Sequence, residues 1–294
     1  MFAQFFGSYL LSKEAVTAEQ LTQAIAKLAD THIKLGTLAM HKGYMTASEV
    51  DEVCFLQTRE DKRFGELALE HSYLFEDQLE DLLVSQNPDY LLLGQTLVDM
   101  GFLSYSDLEG LMIDYQNDND LDDEMISRSD ASRSIKLIEN FFTGANELPN
   151  EYGLSYLNLL FNNLIRFIGE DFTPMTPVVV NEYPVNYLVT QRLQGQVNVL
   201  SGIDMPKDVA IKFASRYAKM DFDEFDEYVS ASLEDFLNLH NGLFSVNMSN
   251  TYSIELNLLP PMAENKDEYV LEDKGYVIPV IYPFGTIYLL LRFE

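Results

Sequence analysis

The chain has 294 residues, 47% of them apolar, a formal net charge of −28 and a single cysteine, Cys54. The length allows two domains with separate cores, and one cysteine excludes an intrachain disulfide framework. The acidity disfavours both nucleic acid and anionic membranes as partners. The most apolar run, residues 276–293, is broken by two prolines and a glycine. We therefore expect strands there, no membrane insertion and a cytoplasmic protein.

Residues 1–116 repeat one pattern at an interval of 29 residues. The interval is set by one glycine in each copy: Gly7, Gly36, Gly65 and Gly94. Apolar residues follow each glycine at fixed offsets that form one stripe on a helix. Helix-capping pairs mark where that helix begins: Thr17 with Gln20, Thr46 with Glu49 and, less closely, Ser104 with Asp107. Each copy is predicted to be a short helix, a turn and a longer helix, and the four units to form an all-α repeat domain.

The two central units carry polar residues that the outer units lack. Each begins with a cation, an apolar residue and a glycine, and ends with a glutamine 23 positions after the cation. The residues are Lys34, Leu35, Gly36 and Gln57 in one unit, and Arg63, Phe64, Gly65 and Gln86 in the next. A purely structural repeat has no reason to place a cation and a glutamine on the same two units. We therefore interpret the outer units as caps of the array.

This pair of 24-residue motifs with a five-residue spacer resembles the cyclic di-GMP-binding MshEN domain, also found at the N-terminus of type II secretion ATPases. The resemblance implies that these eight residues bind cyclic di-GMP, with one motif for each half of the ligand. Glycine admits close approach of backbone N–H groups, a cation can bind phosphate or guanine, and glutamine can hydrogen-bond a base edge. The alternative is a helical docking module that binds another protein.

An acidic linker, residues 117–133, is predicted to separate this domain from a second domain over residues 134–294. The linker contains the run NDNDLDDE, which is typical of a solvated segment. In the second domain, blocks with helical spacing alternate with blocks rich in β-branched residues. A short amphipathic helix, 131–142, is predicted to join this domain. Its other predicted helices are 154–169, 208–219 and 226–241, the last ended by Gly242. Residues 177–188 and 189–203 are β-rich stretches, and 253–259 and 276–293 are predicted to form strands. The expected fold class is α+β, a helical repeat domain followed by an α/β sandwich.

The helix predicted over residues 226–241 carries an acid and an amide on one face. Asp235 precedes Asn238 by three residues, and 22 residues separate Asn238 from Pro261. This spacing resembles the CheC/CheX/FliY family of response-regulator phosphatases, whose motif is Glu-x-x-Asn, 22 residues and then Pro. The resemblance implies a CheX-like sandwich with one active helix and a CheY-like response regulator as partner. It also implies that Asp235 and Asn238 hydrolyse the regulator's phosphoaspartate, with Mg²⁺ supplied by the regulator.

Asp235 stands where that family has glutamate, and it is shorter by one methylene, about 1.5 Å. A displacement of about 1 Å can slow a positioned reaction by on the order of 10²-fold. The alternative function is therefore a non-catalytic adaptor in chemotaxis or motility signalling, whose two domains only bind proteins. The four histidines are scattered along the sequence, so we expect no metal site and no resident cofactor. The expected small-molecule ligand is cyclic di-GMP.

Overall fold

A computed structural model describes residues 2–28, 31–84, 90–119, 131–142, 149–264 and 268–293. Its contacts divide the chain into two compact units, Tyr9–Ser129 and Asp130–Glu294, and residues Ala3–Ser8 are grouped with the second. The boundaries predicted at residues 116 and 134 stay predictions. Most of the predicted linker, and Gln86, lie outside the described residues. Over the ranges that are described, no helix is both long and apolar enough to cross a membrane.

Helices fill the described part of the chain up to Asp118. They are α1 Phe2–Ser12, α2 Ala18–Lys27, α3 Leu35–His41, α4 Ala47–Gln57, α5 Phe64–Glu70, α6 Glu76–Val84, α7 Tyr90–Asp99 and α8 Tyr105–Asp118. The capping boxes predicted at Thr17, Thr46 and Ser104 are confirmed. Each side chain accepts a hydrogen bond from the backbone N–H three residues later, and the side chain of that later residue accepts one from the backbone N–H of the cap. The four-unit repeat domain stays a prediction, since most of α1 is grouped with the C-terminal unit.

The turns between the short and long helices share one backbone conformation. Glu14, Gly43, Ser72 and Gly101 have φ of 55°, 68°, 62° and 72°, in the left-handed region. Glycine adopts this conformation freely, whereas a residue with a Cβ is strained by about 1–2 kcal/mol. The turn thus keeps the same backbone conformation in all four units, including the two in which Glu14 or Ser72 stands in place of a turn glycine.

Helix α3 is the centre of the N-terminal unit, since it packs against every helix from α4 to α8. A Cβ on Gly36 of α3 would lie 2.7 Å from Val50 Cγ1 and 3.1 Å from Phe64 Cζ. The bare glycine therefore lets α3 close onto α4 and α5. Helices α7 and α8 of the fourth unit contact α3, and α8 also contacts α4. The fourth unit thus packs against the second, and the interpretation of the outer units as caps stays a prediction.

The C-terminal unit has a mixed helix-and-sheet fold. Its helices are α9 Ala131–Phe142, α10 Glu151–Phe167, α11 Lys207–Ala218 and α12 Glu227–Tyr252. Its strands are β1 Thr173–Pro174, β2 Val178–Pro184, β3 Leu188–Gly195, β4 Val199–Asp204, β5 Leu256–Leu258, β6 Met262–Glu264, β7 Glu268–Tyr282 and β8 Gly285–Phe293. They form one antiparallel sheet in the order β1-β7-β8-β4-β3-β5, with β2 beside β7 and β6 beside β3.

Helix α12 is longer than predicted. The expected end at Gly242 is wrong, because the helix continues to Tyr252 and ends at Ser253, whose φ is 57°. Phe244 and Met248, beyond the glycine, are fully buried and continue the apolar stripe of the helix. Glycine inside a helix costs about 1 kcal/mol, which the burial of two large side chains outweighs. One face of the helix packs on β3, β4, β5 and β6, so the opposite face is turned outward.

Candidate functional sites

Asp235 and Asn238 lie on the outward face of α12, and both side chains are exposed. Residues three apart on a helix are neighbours, with Cβ atoms about 5–6 Å apart. Between them, Phe236 and Leu237 are buried and fix the rotation of the helix. The sequence prediction that the acid and the amide share one face is thus met by the burial pattern.

Asn238 is held by a buried glutamine. Gln191 of β3 donates from Nε2 to Asn238 Oδ1 at 2.8 Å and to the main-chain oxygen of Leu259 at 2.8 Å. Leu259 stands two residues before Pro261, which is half-buried. The structure therefore brings Asn238 and the segment leading to Pro261 to the same amide, although they are distant in sequence.

Asp235 is held by a tyrosine from the neighbouring helix. The hydroxyl of Tyr217 on α11 donates to Asp235 Oδ2 at 2.6 Å. Burial and the neighbouring carboxylate both raise the pKa of Tyr217, so this hydroxyl remains a donor. Glu234, the adjacent acid, instead accepts from Ser230 at 3.2 Å. It therefore points along its own helix and does not substitute for Asp235.

A layer of polar side chains lies behind this face. Asn241 donates from Nδ2 to Gln191 Oε1 and to Ser201 Oγ, both at 2.8 Å, and accepts from the Tyr156 hydroxyl at 3.1 Å. All four residues are buried. Buried polar groups that are fully paired hold one arrangement, because breaking any bond leaves an unsatisfied group. This layer fixes the position of Gln191.

His240 lies beside this layer and is fully buried. Its Nδ1 is 3.0 Å from Asn163 Nδ2 of α10, and its Nε2 has no hydrogen-bond partner among the described residues. Burial lowers the pKa of His240 from 6.5 to about 3, so the ring is neutral at physiological pH. Of the two asparagines that α10 offers, Asn163 is thus buried and committed to His240, whereas the exposed Asn162 donates to Asn158.

The N-terminal unit contains a cavity of about 260 Å³. It is lined by Lys34, Leu35, Gly36, Cys54, Gln57, Phe64 and Tyr105. Five of the eight residues predicted to bind cyclic di-GMP are therefore brought together. Arg63 and Gly65 do not line this cavity, and Gln86 lies outside the described residues. Binding pockets for whole ligands usually enclose about 300–1,000 Å³, so this cavity suits one part of a ligand, such as a planar base.

Lys34 is the cation of this cavity, and it is paired. Its Nζ lies 2.5 Å from Asp99 Oδ1 of α7, and Gln95 Nε2 donates to the same oxygen at 2.8 Å. Burial lowers the pKa of Lys34, but the hydrogen bond to Asp99 and nearby anionic groups outweigh it, so the pKa is raised. A ligand phosphate would therefore compete with Asp99 for this ammonium group. Burial also raises the pKa of the Cys54 thiol, which keeps it protonated.

Neither site resembles a metal centre. In the described ranges, no group of three or more His, Cys, Asp or Glu side chains is arranged to hold a metal ion.

The sequence matches no protein-family profile and no curated protein. Among solved structures, it is similar to the chemotaxis protein CheX from Desulfovibrio desulfuricans, with 16% identity, 49% of this chain and 100% of that chain covered, and a TM-score of 0.43. CheX from Vibrio vulnificus gives 14% identity, 49% and 100% coverage and a TM-score of 0.43. The CheX–CheY–BeF₃–Mg²⁺ complex from Borrelia burgdorferi gives 20% identity, 49% and 98% coverage and a TM-score of 0.42.

Several residues of the two sites were missed by the sequence reasoning. Gln191 left a signal, since it is a glutamine on an otherwise apolar strand face between Val189 and Leu193. No sequence signal indicated Tyr217, because its contact with Asp235 depends on the packing of α11 against α12. Asp99 and Tyr105 belong to the fourth unit, which was interpreted as a cap.

Proposed function

We propose that this chain is a two-part signalling protein whose C-terminal unit docks α12 into the active site of a CheY-like response regulator and removes its phosphoryl group. The observation that carries the proposal is the exposed pair Asp235 and Asn238 on one face of α12. Their side chains are each held by one hydrogen bond from a neighbouring element, and both keep polar atoms for a partner. A held yet exposed amide is what a water-positioning residue requires.

The reaction is hydrolysis of an acyl phosphate. A water attacks phosphorus, its oxygen–phosphorus bond forms as the bond to the aspartyl oxygen breaks, and aspartate carboxylate and inorganic phosphate result. The water's protons stay with the phosphate and the solvent. The regulator's Mg²⁺ neutralises phosphoryl charge. In this chain, Asn238 would donate from Nδ2 to the attacking water and fix its approach opposite the leaving oxygen.

Asp235 would pair with the lysine of the regulator's active site. Its Oδ2 accepts from Tyr217, which leaves Oδ1 to accept from a lysine ammonium group. Because aspartate reaches about 1.5 Å less far than glutamate, α12 must approach the regulator more closely for the same contact. The proposal therefore predicts a slow phosphatase that a longer carboxylate makes faster.

The test is the lifetime of a radiolabelled phospho-regulator with and without the full-length protein. Asp235→Glu should shorten the lifetime relative to wild type, by up to about 10²-fold if reach is what limits the reaction. Asp235→Ala should lengthen it. The matched control is Asp223→Glu, since Asp223 is exposed and lies in the loop before α12, and it should leave the lifetime at the wild-type value.

One pattern of results would favour a non-catalytic adaptor. If wild type and Asp235→Glu both bind the phospho-regulator but neither changes its lifetime, across the response regulators of the cell, the phosphatase is excluded. The exposed pair would then serve docking only.

A second function, binding of cyclic di-GMP by the N-terminal unit, is favoured by the cavity. It gathers an ammonium group, an amide and two aromatic rings from Lys34, Gln57, Phe64 and Tyr105. An aromatic ring can stack on guanine, the amide can pair with a base edge, and the ammonium group can bind phosphate. Gly36 is in the lining as well, so backbone rather than a side chain faces the space.

Isothermal titration of the full-length protein with cyclic di-GMP tests this function. Wild type should bind, and Lys34→Ala and Gln57→Ala should each weaken binding at least several-fold, because each removes a polar group that lines the cavity. Leu92→Ala is the control, since Leu92 holds in the fourth unit the position that Lys34 holds in the second. It should lower stability only. No heat at high micromolar cyclic di-GMP, or equal heat with cyclic di-AMP, would contradict a guanine-reading site.

A further inference from the structure

We propose that Gln191 is a positioning residue that sets which end of the Asn238 side chain faces the partner. The inference rests on the proposed function of Asn238, and it concerns the orientation of an amide rather than its presence. Gln191 belongs to β3, its side chain is only 1% exposed, and it lies beneath the outward face of α12. It therefore acts through Asn238 and does not touch a partner itself.

The hydrogen-bond chemistry leaves one orientation for Gln191. The main-chain oxygen of Leu259 can only accept, and it lies 2.8 Å from the side-chain amide of Gln191. The atom facing Leu259 must therefore be Nε2, which carries two hydrogens. Its second hydrogen points to Asn238, at 2.8 Å. The atom of Asn238 that receives it must be the acceptor Oδ1, so Nδ2 is turned to the outside.

The opposite end of Gln191 supports the same orientation independently. Its Oε1 accepts from Asn241 Nδ2 at 2.8 Å, and Asn241 Oδ1 accepts from the Tyr156 hydroxyl at 3.1 Å. Asn241 Nδ2 also donates to Ser201 Oγ at 2.8 Å, and Ser201 Oγ donates to the main-chain oxygen of Gln191 at 3.4 Å. Reversing Gln191 would place its Oε1 against the main-chain oxygen of Leu259 and its Nε2 against Asn241 Nδ2. Reversing Asn241 would place its Oδ1 against Gln191 Oε1, so each reversal leaves unsatisfied groups in a buried layer.

The consequence is a surface asparagine with a fixed donor end. A free asparagine side chain on a helix would present Oδ1 or Nδ2 with similar ease, and only Nδ2 can donate to a water. Gln191 removes that choice before any partner arrives, which is preorganisation of the reacting geometry.

Kinetics with the phospho-regulator test the inference through Gln191→Met, which keeps the length of the side chain and removes both polar atoms. The maximal rate of phosphoryl loss should fall by on the order of 10-fold or more, while the protein concentration giving half that rate stays within about twofold. Gln194→Met is the matched control, because Gln194 is exposed on the same strand, and both values should stay as in wild type. In an Asn238→Ala background, Gln191→Met should have no further effect on the rate. A further loss there would overturn the inference.

Nuclear magnetic resonance of the ¹⁵N-labelled full-length protein separates this inference from the proposed function. The side-chain NH₂ pair of Asn238 is identified by its absence in Asn238→Ala. In wild type it should show a nuclear Overhauser contact with the Gln191 side chain, and its chemical shift should change in Gln191→Met but not in Gln194→Met. If these hold and wild type has no phosphatase activity, the positioning stands and the proposed function fails. Absence of the contact in wild type overturns the positioning, whether or not Gln191→Met folds.

Discussion

The buried histidine behind the candidate site predicts a pH dependence of stability with a definite sign. His240 is fully buried, has no partner for Nε2 among the described residues, and has a pKa lowered by burial from 6.5 to about 3. His240 therefore binds a proton below about pH 6.5 in the unfolded chain, whereas in the folded chain it stays neutral until the pH approaches 3. The free energy of unfolding is therefore unaffected by His240 above pH 6.5, and it falls progressively as the pH is lowered from 6.5 toward 3.

The size of the effect follows from the shift. Each pH unit below 6.5 costs about 1.4 kcal/mol of unfolding free energy as long as the folded ring stays neutral. The loss relative to pH 7.5 is thus about 1 kcal/mol at pH 5.5 and about 3 kcal/mol at pH 4.5. These losses are a large fraction of the stability of an ordinary domain, about 5–15 kcal/mol.

Urea unfolding followed by circular dichroism at several pH values between 7.5 and 5 measures this loss. His240→Gln keeps an acceptor for Asn163 and cannot titrate, so its stability should fall less steeply with pH than that of wild type. His32→Gln, the same change at an exposed histidine, should follow wild type. Equal slopes for wild type and His240→Gln over this interval would refute the account of a neutral buried ring.

Four further substitutions test other parts of the structure. Ser72→Gly should raise the unfolding free energy by about 1 kcal/mol, and Gly43→Ser should lower it by a similar amount, because both positions have positive φ; thermal melts compare them. Gly242→Ala should raise the unfolding free energy by about 0.5–1 kcal/mol, because the residue lies inside α12 and an added Cβ meets nothing within 4 Å. A lower unfolding free energy for this variant would contradict a helix that continues through residue 242. Asp99→Asn should tighten cyclic di-GMP binding several-fold in isothermal titration, because it frees Lys34 from its carboxylate; weaker binding would argue that Asp99 itself contacts the ligand.

Local signals predicted the parts of the fold that depend on neighbours in sequence. The capping boxes at Thr17 and Thr46 are confirmed because a cap needs only residues three apart. The end of α12 could not be found in the same way. Gly242 is a common stop signal, but Phe244 and Met248 lie beyond it and pack into the core. Tertiary burial therefore outweighed the local preference.

In the candidate sites too, residues close in sequence could be predicted, whereas tertiary contacts could not. Helical spacing was enough to place Asp235 and Asn238 on one face, and the cation–glutamine pattern led to Lys34 and Gln57, which share a cavity. The partners that tune them come from other elements. Asp99 contacts Lys34 because α7 packs against α3, a pairing that a repeat pattern does not specify.

Whether α12 is catalytic is decided by the first-order rate of phosphoryl loss from a CheY-like regulator at saturating protein, compared between wild type and Asn238→Ala. Asn238 is exposed, so its removal should leave folding and regulator binding intact. We predict that wild type exceeds the regulator's own rate of loss and that Asn238→Ala returns it to that rate. Equal acceleration by both proteins would contradict the assignment of the water-positioning role to Asn238.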